Sequence, residues 1–220
     1  MGHRESLSGV CYVITVKLLE EFVLFRGGAI LNKKIVIIEG YLASGKSTFA
    51  LQLSKLINVP YLVKDTLKIA LCKHVSVTNR DESSLFSAGT FDAMMYVAER
   101  MFETGIPIII EGNFVPAGVK KVNEAGVIKH LIDQYGYTPL TFKFLGDTKV
   151  LYERLVAREK TSERGQVNKI GVDVSYGIFE QWCHNLDAFD VGGETIRVDT
   201  TDFSTVDFDK YIEFARQFMS

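Results

Sequence analysis

A glycine-rich octapeptide constrains the fold of this chain more than any other feature of its sequence. Residues 40–47 read GYLASGKS and match the pattern G-x-x-x-x-G-K-[ST] at every fixed position. The apolar run 35–38 before them is typical of a buried strand, and Lys46–Ile57 after them has apolar positions at helical spacing. This order predicts a phosphate-binding loop, because the backbone N–H groups of such a turn converge on an anion. A glycine-rich turn that matches by chance is the alternative.

Short apolar runs alternate with longer helical patterns along the rest of the chain. Further strands are expected at residues 60–63, 106–110, 140–145 and 195–198. Helices are expected at 91–103 and at 148–160, and a polar, mobile stretch follows to about Ser175. The order predicts a three-layer α/β fold, in which helices cover both faces of a mostly parallel five-stranded sheet.

The composition limits the classes of function. The chain has 220 residues, of which 47% are apolar, so it can bury the core of one domain. Its 25 Lys and Arg against 27 Asp and Glu give a net charge of -2, which argues against a membrane or a nucleic acid as partner. Its three cysteines lie far apart, which favours a reducing cytoplasm over a disulfide framework or a zinc site. The oligomeric state stays open.

Residues 1–31 fit the α/β pattern poorly, and we expect a domain over residues 32–220 after an N-terminal extension. Residues 26–31 can be encoded as AGA GGA GGT GCA ATA TTG, a purine-rich ribosome-binding sequence before a TTG start codon. We therefore expect translation to start at position 31. The alternative is an amphipathic helix over residues 18–25 that packs on the domain.

The predicted loop offers groups for a nucleotide and a metal ion. Lys46 can reach outer phosphates as a point charge, Ser47 offers a hydroxyl to Mg²⁺, and Thr48 supports the α-phosphate side. The guanine-reading pattern Asn-Lys-x-Asp is absent from the sequence, which argues against a GTPase. The length argues against a large mechanical ATPase.

Two acidic residues that follow predicted strands are candidates for catalysis and metal binding. Asp65 comes after the second strand, whose carboxyl end lies beside the loop in a doubly wound sheet. A carboxylate there can accept a proton from an attacking hydroxyl, although Asp65 also suits the N-cap of the following helix. Glu111 ends the third strand, where an acid orients Mg²⁺ or, alternatively, fixes a loop. Lys64 and Lys68 flank Asp65, and we expect both to be solvated, with contact to substrate charge as the alternative.

Arginines lie in and after the charged helix. Arg154 and Arg158 are four residues apart and project from one helix face, and Arg164 follows in the polar stretch. Planar, bidentate donors on a closing segment stabilise the charge on a phosphoryl group in transfer. Pairing with neighbouring glutamates on a solvated helix is the alternative.

Together these residues resemble P-loop kinases of the small-molecule and polynucleotide 5'-hydroxyl type, a group that includes zeta toxins, chloramphenicol phosphotransferase and AAA-domain predicted kinases. The resemblance covers roughly residues 33–203 and includes RVDTT at 197–201. It implies an arginine-bearing lid, a general-base role for Asp65, and a turn that lies against adenine. The residues expected to bind ATP are Gly40, Tyr41, Leu42, Ala43, Ser44, Gly45, Lys46, Ser47, Thr48, Thr200 and Thr201.

The sequence therefore predicts a kinase that transfers the γ-phosphate of ATP to a hydroxyl of a small-molecule or nucleotide-like acceptor. Mg²⁺, with Ser47 and Glu111 as its protein ligands, would bridge the β- and γ-phosphates. Lys46 and one or more of the three arginines would neutralise the developing charge. The alternatives are a zeta-toxin-like or polynucleotide kinase, and a regulatory ATP-binding module without phosphotransfer.

Overall fold

The computed structural model describes residues 32–72, 75, 80–119, 123–159 and 174–220. The predicted extension over residues 1–31 lies outside these residues, and so does Arg164. The expectations for the start of translation and for a helix at residues 18–25 stay predictions.

Five parallel strands form one sheet, as the alternating pattern predicts. The strands are β1 (Lys34–Gly40), β2 (Tyr61–Val63), β3 (Ile108–Glu111), β4 (Thr138–Leu145) and β5 (Glu194–Asp199). Their order across the sheet is β2-β3-β1-β4-β5. The chain moves from β1 to one side of the sheet and from β3 to the other, so the carboxyl end of β1 is a topological switch point.

Helices cover both faces of the sheet and complete the three layers. They are α1 (Lys46–Ile57), α2 (Lys64–Cys72), α3 (Arg80–Thr104), α4 (Glu124–Tyr135), α5 (Thr148–Glu159), α6 (Tyr176–His184) and α7 (Phe208–Met219), with a 3₁₀ turn at Phe203–Thr205. Helix α3 begins at Arg80 rather than at the predicted residue 91, and α4 and α7 are absent from the sequence-based assignment. None of the helices within the described ranges has the length and apolar character needed to span a bilayer.

The alternation of side chains along β1 divides the core between the two faces. Ile35 and Ile37 pack with residues of α3 and α4, whereas Val36 and Ile38 pack with residues of α1 and α7. All four are fully buried. Successive side chains of a strand point to opposite faces, so an unbroken apolar run is what a sheet covered on both sides requires.

A third group of apolar side chains joins residues 41–43 to α5 and α6, and we call it the loop cluster. Its members are the buried Tyr41, Leu151, Leu155, Val174, Phe179 and Cys183 and the partly buried Leu42, Ala43, Leu145, Tyr152 and Trp182. Burial raises the pKa of the Cys183 thiol to about 11. This cysteine therefore acts as a small apolar side chain at neutral pH.

Candidate active site

Two glycines of the glycine-rich loop, residues 40–47, are required by its path. Gly40 has φ +124°, and a Cβ there would lie 2.1 Å from the carbonyl oxygen of Phe144 on β4. Gly45 has φ +89°, and its Cβ would lie 3.0 Å from the ring of Phe203. Only glycine adopts such conformations without strain, and only glycine leaves room for these neighbours. The two fixed glycines of the sequence pattern are thus explained by the close approach of the loop to β4 and to the turn after β5.

The side chain of Lys46 turns back into the loop. It is 5% exposed, and its Nζ donates to the carbonyl oxygens of Gly40 at 3.0 Å and of Tyr41 at 2.5 Å. Burial lowers the pKa of Lys46 below its ordinary value, and the carboxylates of Glu111 and then Asp65 oppose this effect. The ammonium group is therefore enclosed by the loop, and three acids, Glu111, Asp65 and Glu39, are near enough to act on it.

Ser47 and Glu111 meet at the start of α1. Ser47 Oγ donates to Glu111 Oε2 at 3.0 Å, and Glu111 is 4% exposed at the end of β3. The parallel pairing of Ile38 with Glu111 sets this register, because it aligns the ends of β1 and β3. A hydroxyl and a carboxylate oxygen are ligands that Mg²⁺ accepts. Within the described ranges, no three His, Cys, Asp or Glu side chains group into a metal site.

Asp65 lies in the first turn of α2, directly after β2. Its side chain is exposed, and its charge acts on the buried Lys46. Val63 pairs with Glu111, so the end of β2 lies beside the acid that bonds Ser47. Helix α2 begins at Lys64, which places Asp65 inside the first turn and not at the N-cap position before it. The structure therefore brings Asp65 to the same edge of the sheet as the loop.

Arg154 bonds the turn after β5. Its guanidinium donates to the carbonyl oxygens of Thr200 at 2.5 Å and Thr201 at 2.6 Å, and it stacks 4.2 Å from the centroid of the Phe203 ring. Two carbonyl bonds and an aromatic face hold a planar guanidinium in one orientation. Arg158 lies one turn further along α5 and is half-buried.

Thr200 and Thr201 build the turn itself. The Thr200 hydroxyl donates to the carbonyl oxygen of Leu145 at 2.9 Å, and Thr200 is fully buried. The Thr201 hydroxyl donates to Asp199 Oδ1 at 2.7 Å and accepts from the N–H of Asp147 at 2.8 Å. Both hydroxyls are engaged within the protein, and the exposed ring of Phe203 lies beside Gly45 of the loop.

A buried carboxylate that sequence reasoning missed lies directly before the loop. Glu39 is fully buried, and its Oε1 is 3.5 Å from Nζ of Lys143, its direct neighbour on β4. Burial raises the pKa of Glu39 to about 7, and Lys143 is the main opposing charge. Lys143 in turn donates to the carbonyl oxygens of Leu186 at 3.1 Å and Asp187 at 2.7 Å. The one local signal was an acidic residue between an apolar run and the glycine-rich loop.

The hydroxyl of Tyr41 binds the same segment after α6. It donates to Asp187 Oδ1 at 2.8 Å, and Asp187 Oδ2 lies 3.0 Å from Nδ1 of His184. Burial, followed by this bond and the charge of Asp187, raises the pKa of the Tyr41 phenol. Tyr41 and Lys143 together join the end of α6 to the loop and to β4.

Lys64 and Lys68 differ from the expectation of solvated side chains. Lys64 is 7% exposed and forms an ion pair with the buried Glu124. Lys68 is partly buried and donates to the hydroxyls of Ser83 at 2.7 Å and Ser87 at 2.9 Å on α3. No local pattern points to Glu124 as the partner, because it lies 60 residues from Lys64.

Comparisons with known proteins show which fold this is. No protein-family model matches the chain, and no curated protein matches it. A solved protein from Chloroflexus aurantiacus J-10-fl, with a provisional kinase assignment, superposes with a TM-score of 0.73 at 21% identity over 86% of this chain and 100% of its own. Shikimate kinase from Bacteroides thetaiotaomicron has a TM-score of 0.53 at 14% identity over 84% of this chain and 98% of its own. A sugar kinase from Janibacter sp. HTCC2649 has a TM-score of 0.51 at 14% identity over 85% of this chain and 94% of its own. The chain therefore has the three-layer α/β fold of P-loop kinases.

Proposed function

We propose that the protein is an ATP-dependent kinase that transfers the γ-phosphate to a hydroxyl group of a small-molecule or nucleotide-like acceptor. One observation carries the proposal: Ser47 Oγ bonds Glu111 Oε2 at 3.0 Å, beside a buried Lys46 inside a glycine-rich loop at the switch point. A hydroxyl, an acid and an ammonium group in this arrangement suit a metal-bound polyphosphate. The kinases with the same fold support the reaction class.

The nucleotide phosphates would bind along residues 40–48. Backbone N–H groups of the loop and the start of α1 supply donors and a favourable dipole. Ser47 and Glu111 would hold Mg²⁺, which would neutralise charge on the β- and γ-phosphates. Lys46 would exchange its bonds to the Gly40 and Tyr41 carbonyls for phosphate oxygens.

The purine would bind on the side of the loop that faces Phe203. The ring of this residue is 41% exposed, and Arg154 holds it against the turn. Aromatic and guanidinium planes both stack on bases. The turn of Thr200 and Thr201 would then border adenine, as the family resemblance implies.

Asp65 would act as the general base. Its carboxylate is exposed at the edge of the sheet that carries Lys46 and Glu111, so an acceptor hydroxyl can reach it. Proton removal by a positioned carboxylate during attack contributes about 100-fold or more to the rate. Because Arg154 is bound to the turn after β5, Arg158 and Arg164 are the arginines we propose for the charge on the transferring phosphoryl group.

The test measures ATP consumption with Mg²⁺ across sugars, hydroxy acids, nucleosides, amino sugars, antibiotics and 5'-hydroxyl oligonucleotides. Acceptor-dependent turnover should fall by at least about 100-fold in Asp65→Asn and in Lys46→Met. The exposed Asp209→Asn on α7 is the control and should match wild type. MgATP affinity, measured by calorimetry, should survive in Asp65→Asn and fall in Lys46→Met.

The outcomes separate the candidates. Turnover with an oligonucleotide alone would identify a polynucleotide kinase, and turnover with a nucleotide sugar alone a zeta-toxin-like enzyme. Tight MgATP binding without turnover on any acceptor would contradict the kinase proposal and favour a regulatory nucleotide-binding module. Wild-type turnover in Asp65→Asn would remove Asp65 from the role of base.

A further inference from the structure

We propose that the buried ion pair of Lys64 and Glu124 is the positioning device that sets Asp65 against the metal-binding acid Glu111. This inference rests on the proposed function and adds two residues to it. Lys64 Nζ lies 2.5 Å from Glu124 Oε1, and both side chains are almost fully buried. Lys64 is the first residue of α2, directly before Asp65 in the sequence.

Glu124 fixes the chain that follows β3. Its Oε2 accepts a hydrogen bond from the N–H of Val115 at 3.0 Å, and its own N–H donates to the Val115 carbonyl oxygen at 2.9 Å. Val115 is four residues beyond Glu111. One carboxylate therefore holds the first residue of α2 and the loop that leaves the Glu111 strand.

Aromatic rings and a glycine leave the Lys64 side chain little freedom. Its Nζ lies 5.3 Å from the ring centroid of Phe91 on α3 and 5.9 Å from that of Phe114. A Cβ added to Gly112 would lie 3.1 Å from Lys64 Cβ, so the two backbones are in close contact. A displacement of the first turn of α2 would break the ion pair and open this packing at once.

Stability alone is a weak reason for this arrangement. Two charges lose their hydration when they are buried together, and apolar pairs of similar volume often replace such pairs without loss of stability. An ion pair does impose one direction and one distance, which an apolar contact does not. The proposed reaction needs such precision, because a base displaced by about 1 Å costs about 100-fold in rate.

The test removes the charges while it keeps the volume. The double variant Lys64→Met and Glu124→Gln is compared with wild type and with Lys64→Arg, which retains the charge. Lys129→Met is the matched control, since it removes an exposed lysine from α4, the helix that begins with Glu124. Unfolding midpoints show whether each variant is folded, and calorimetry with MgATP shows whether the glycine-rich loop is intact.

Two measurements report on position. Amide hydrogen exchange should be at least about 10-fold faster at residues 67–71 of the double variant, the first N–H groups bonded within α2, and unchanged at residues 48–52. With the best acceptor of the panel, kcat should fall by about 10- to 100-fold, whereas MgATP affinity should stay within about threefold. Lys64→Arg should retain a higher kcat than the double variant, and Lys129→Met should have the kcat of the wild type.

The results separate this inference from the proposed function. Wild-type exchange at residues 67–71 in a folded double variant would overturn the positioning role, whatever the turnover. Should the wild-type protein prove inactive on every acceptor, the exchange comparison still decides whether the pair holds α2. Should the double variant fail to fold, Glu124→Asp withdraws the carboxylate by one methylene and gives the same comparison.

Discussion

At the scale of single residues, Gly40 shows how a neighbouring strand can dictate a residue type. The backbone N–H of the next residue, Tyr41, donates to the Phe144 carbonyl oxygen at 2.8 Å, and this bond holds the loop against β4. The same carbonyl occupies the place where a side chain of residue 40 would begin. The backbone path alone therefore requires a glycine at this position, whether or not a ligand is bound.

Replacing Gly40 with alanine should destabilise the fold strongly. The new Cβ would overlap the Phe144 carbonyl oxygen, and φ is +124°. We expect a loss of about 2–4 kcal/mol in the free energy of unfolding, measured with denaturant. Gly136→Ala is the control, because Gly136 also has positive φ but has open space around it, and it should cost about 1 kcal/mol. Equal losses in the two variants would show that the collision with β4 is relieved at little cost.

The residue pattern predicts the loop well and its surroundings poorly. Gly40, Lys46 and Ser47 follow from a local motif, whose residue types and spacing are visible in the sequence. Glu39 and Lys64 depend on partners in distant segments, Lys143 and Glu124, and no local pattern shows that such pairs meet. Buried charges therefore appear only once the fold brings their partners together.

At the scale of elements, α5 presents Arg154 to the turn after β5. The family resemblance and the spacing of the arginines predict a role in phosphoryl transfer. The geometry instead joins Arg154 to two carbonyls and to Phe203 after β5, and β5 and β2, which precedes Asp65, are the opposite edge strands of the sheet. A phosphate role for Arg154 stays a prediction, and its contacts favour a role beside the purine of the nucleotide.

Arg154→Met distinguishes these roles through two ligands. If Arg154 supports the purine by holding Phe203 and the turn in place, ATP affinity should fall by about 10-fold or more. The reason is that Arg154→Met loses two charged hydrogen bonds to the turn and the stacking contact with Phe203. Inorganic triphosphate affinity should then change little, because this ligand has no base. Calorimetry with both ligands makes the comparison, and Lys46→Met should weaken both. Equal loss for both ligands in Arg154→Met would place its guanidinium on the phosphates.

The apolar strands were predictable from the sequence, and the polar start of α3 was not. Strands β1 and β4 are apolar runs, and their existence follows from the sequence. The start of α3 reads RDESSLFSAG, whose serines and glycine favour turns over helix, so the predicted helix began too late. Its packing against α2, where Ser83 and Ser87 bond Lys68, stabilises this polar turn instead.

Across the whole molecule, the parallel sheet brings together buried charged side chains that the small net charge does not reveal. The net charge is -2, yet the carboxyl ends of β1, β3 and β4 bring Glu39, Lys46, Glu111 and Lys143 together in buried positions. Each of these groups loses hydration on folding. The global stability of the protein should therefore depend on pH through this edge of the sheet.

Glu39 should make the folded state less stable as the pH rises. Its pKa increases from 4.5 to about 7 on folding, so the folded state binds a proton that the unfolded state releases between these values. The free energy of unfolding should decline by on the order of 3 kcal/mol from pH 4.5 to pH 7 and level off above. Glu39→Gln should lack this decline, whereas the exposed Glu194→Gln should keep it. Parallel pH profiles of wild type and Glu39→Gln in denaturant titrations would contradict the assignment.

The loop cluster also gives the molecule an optical property. Trp182 is the one tryptophan of the chain, and it packs in the cluster that contains Leu42 and Ala43 of the glycine-rich loop. Indole fluorescence responds to the polarity and packing of its surroundings. Ligands that reorder the loop thus alter the emission of a single intrinsic fluorophore, and binding can be followed in the native protein without a dye.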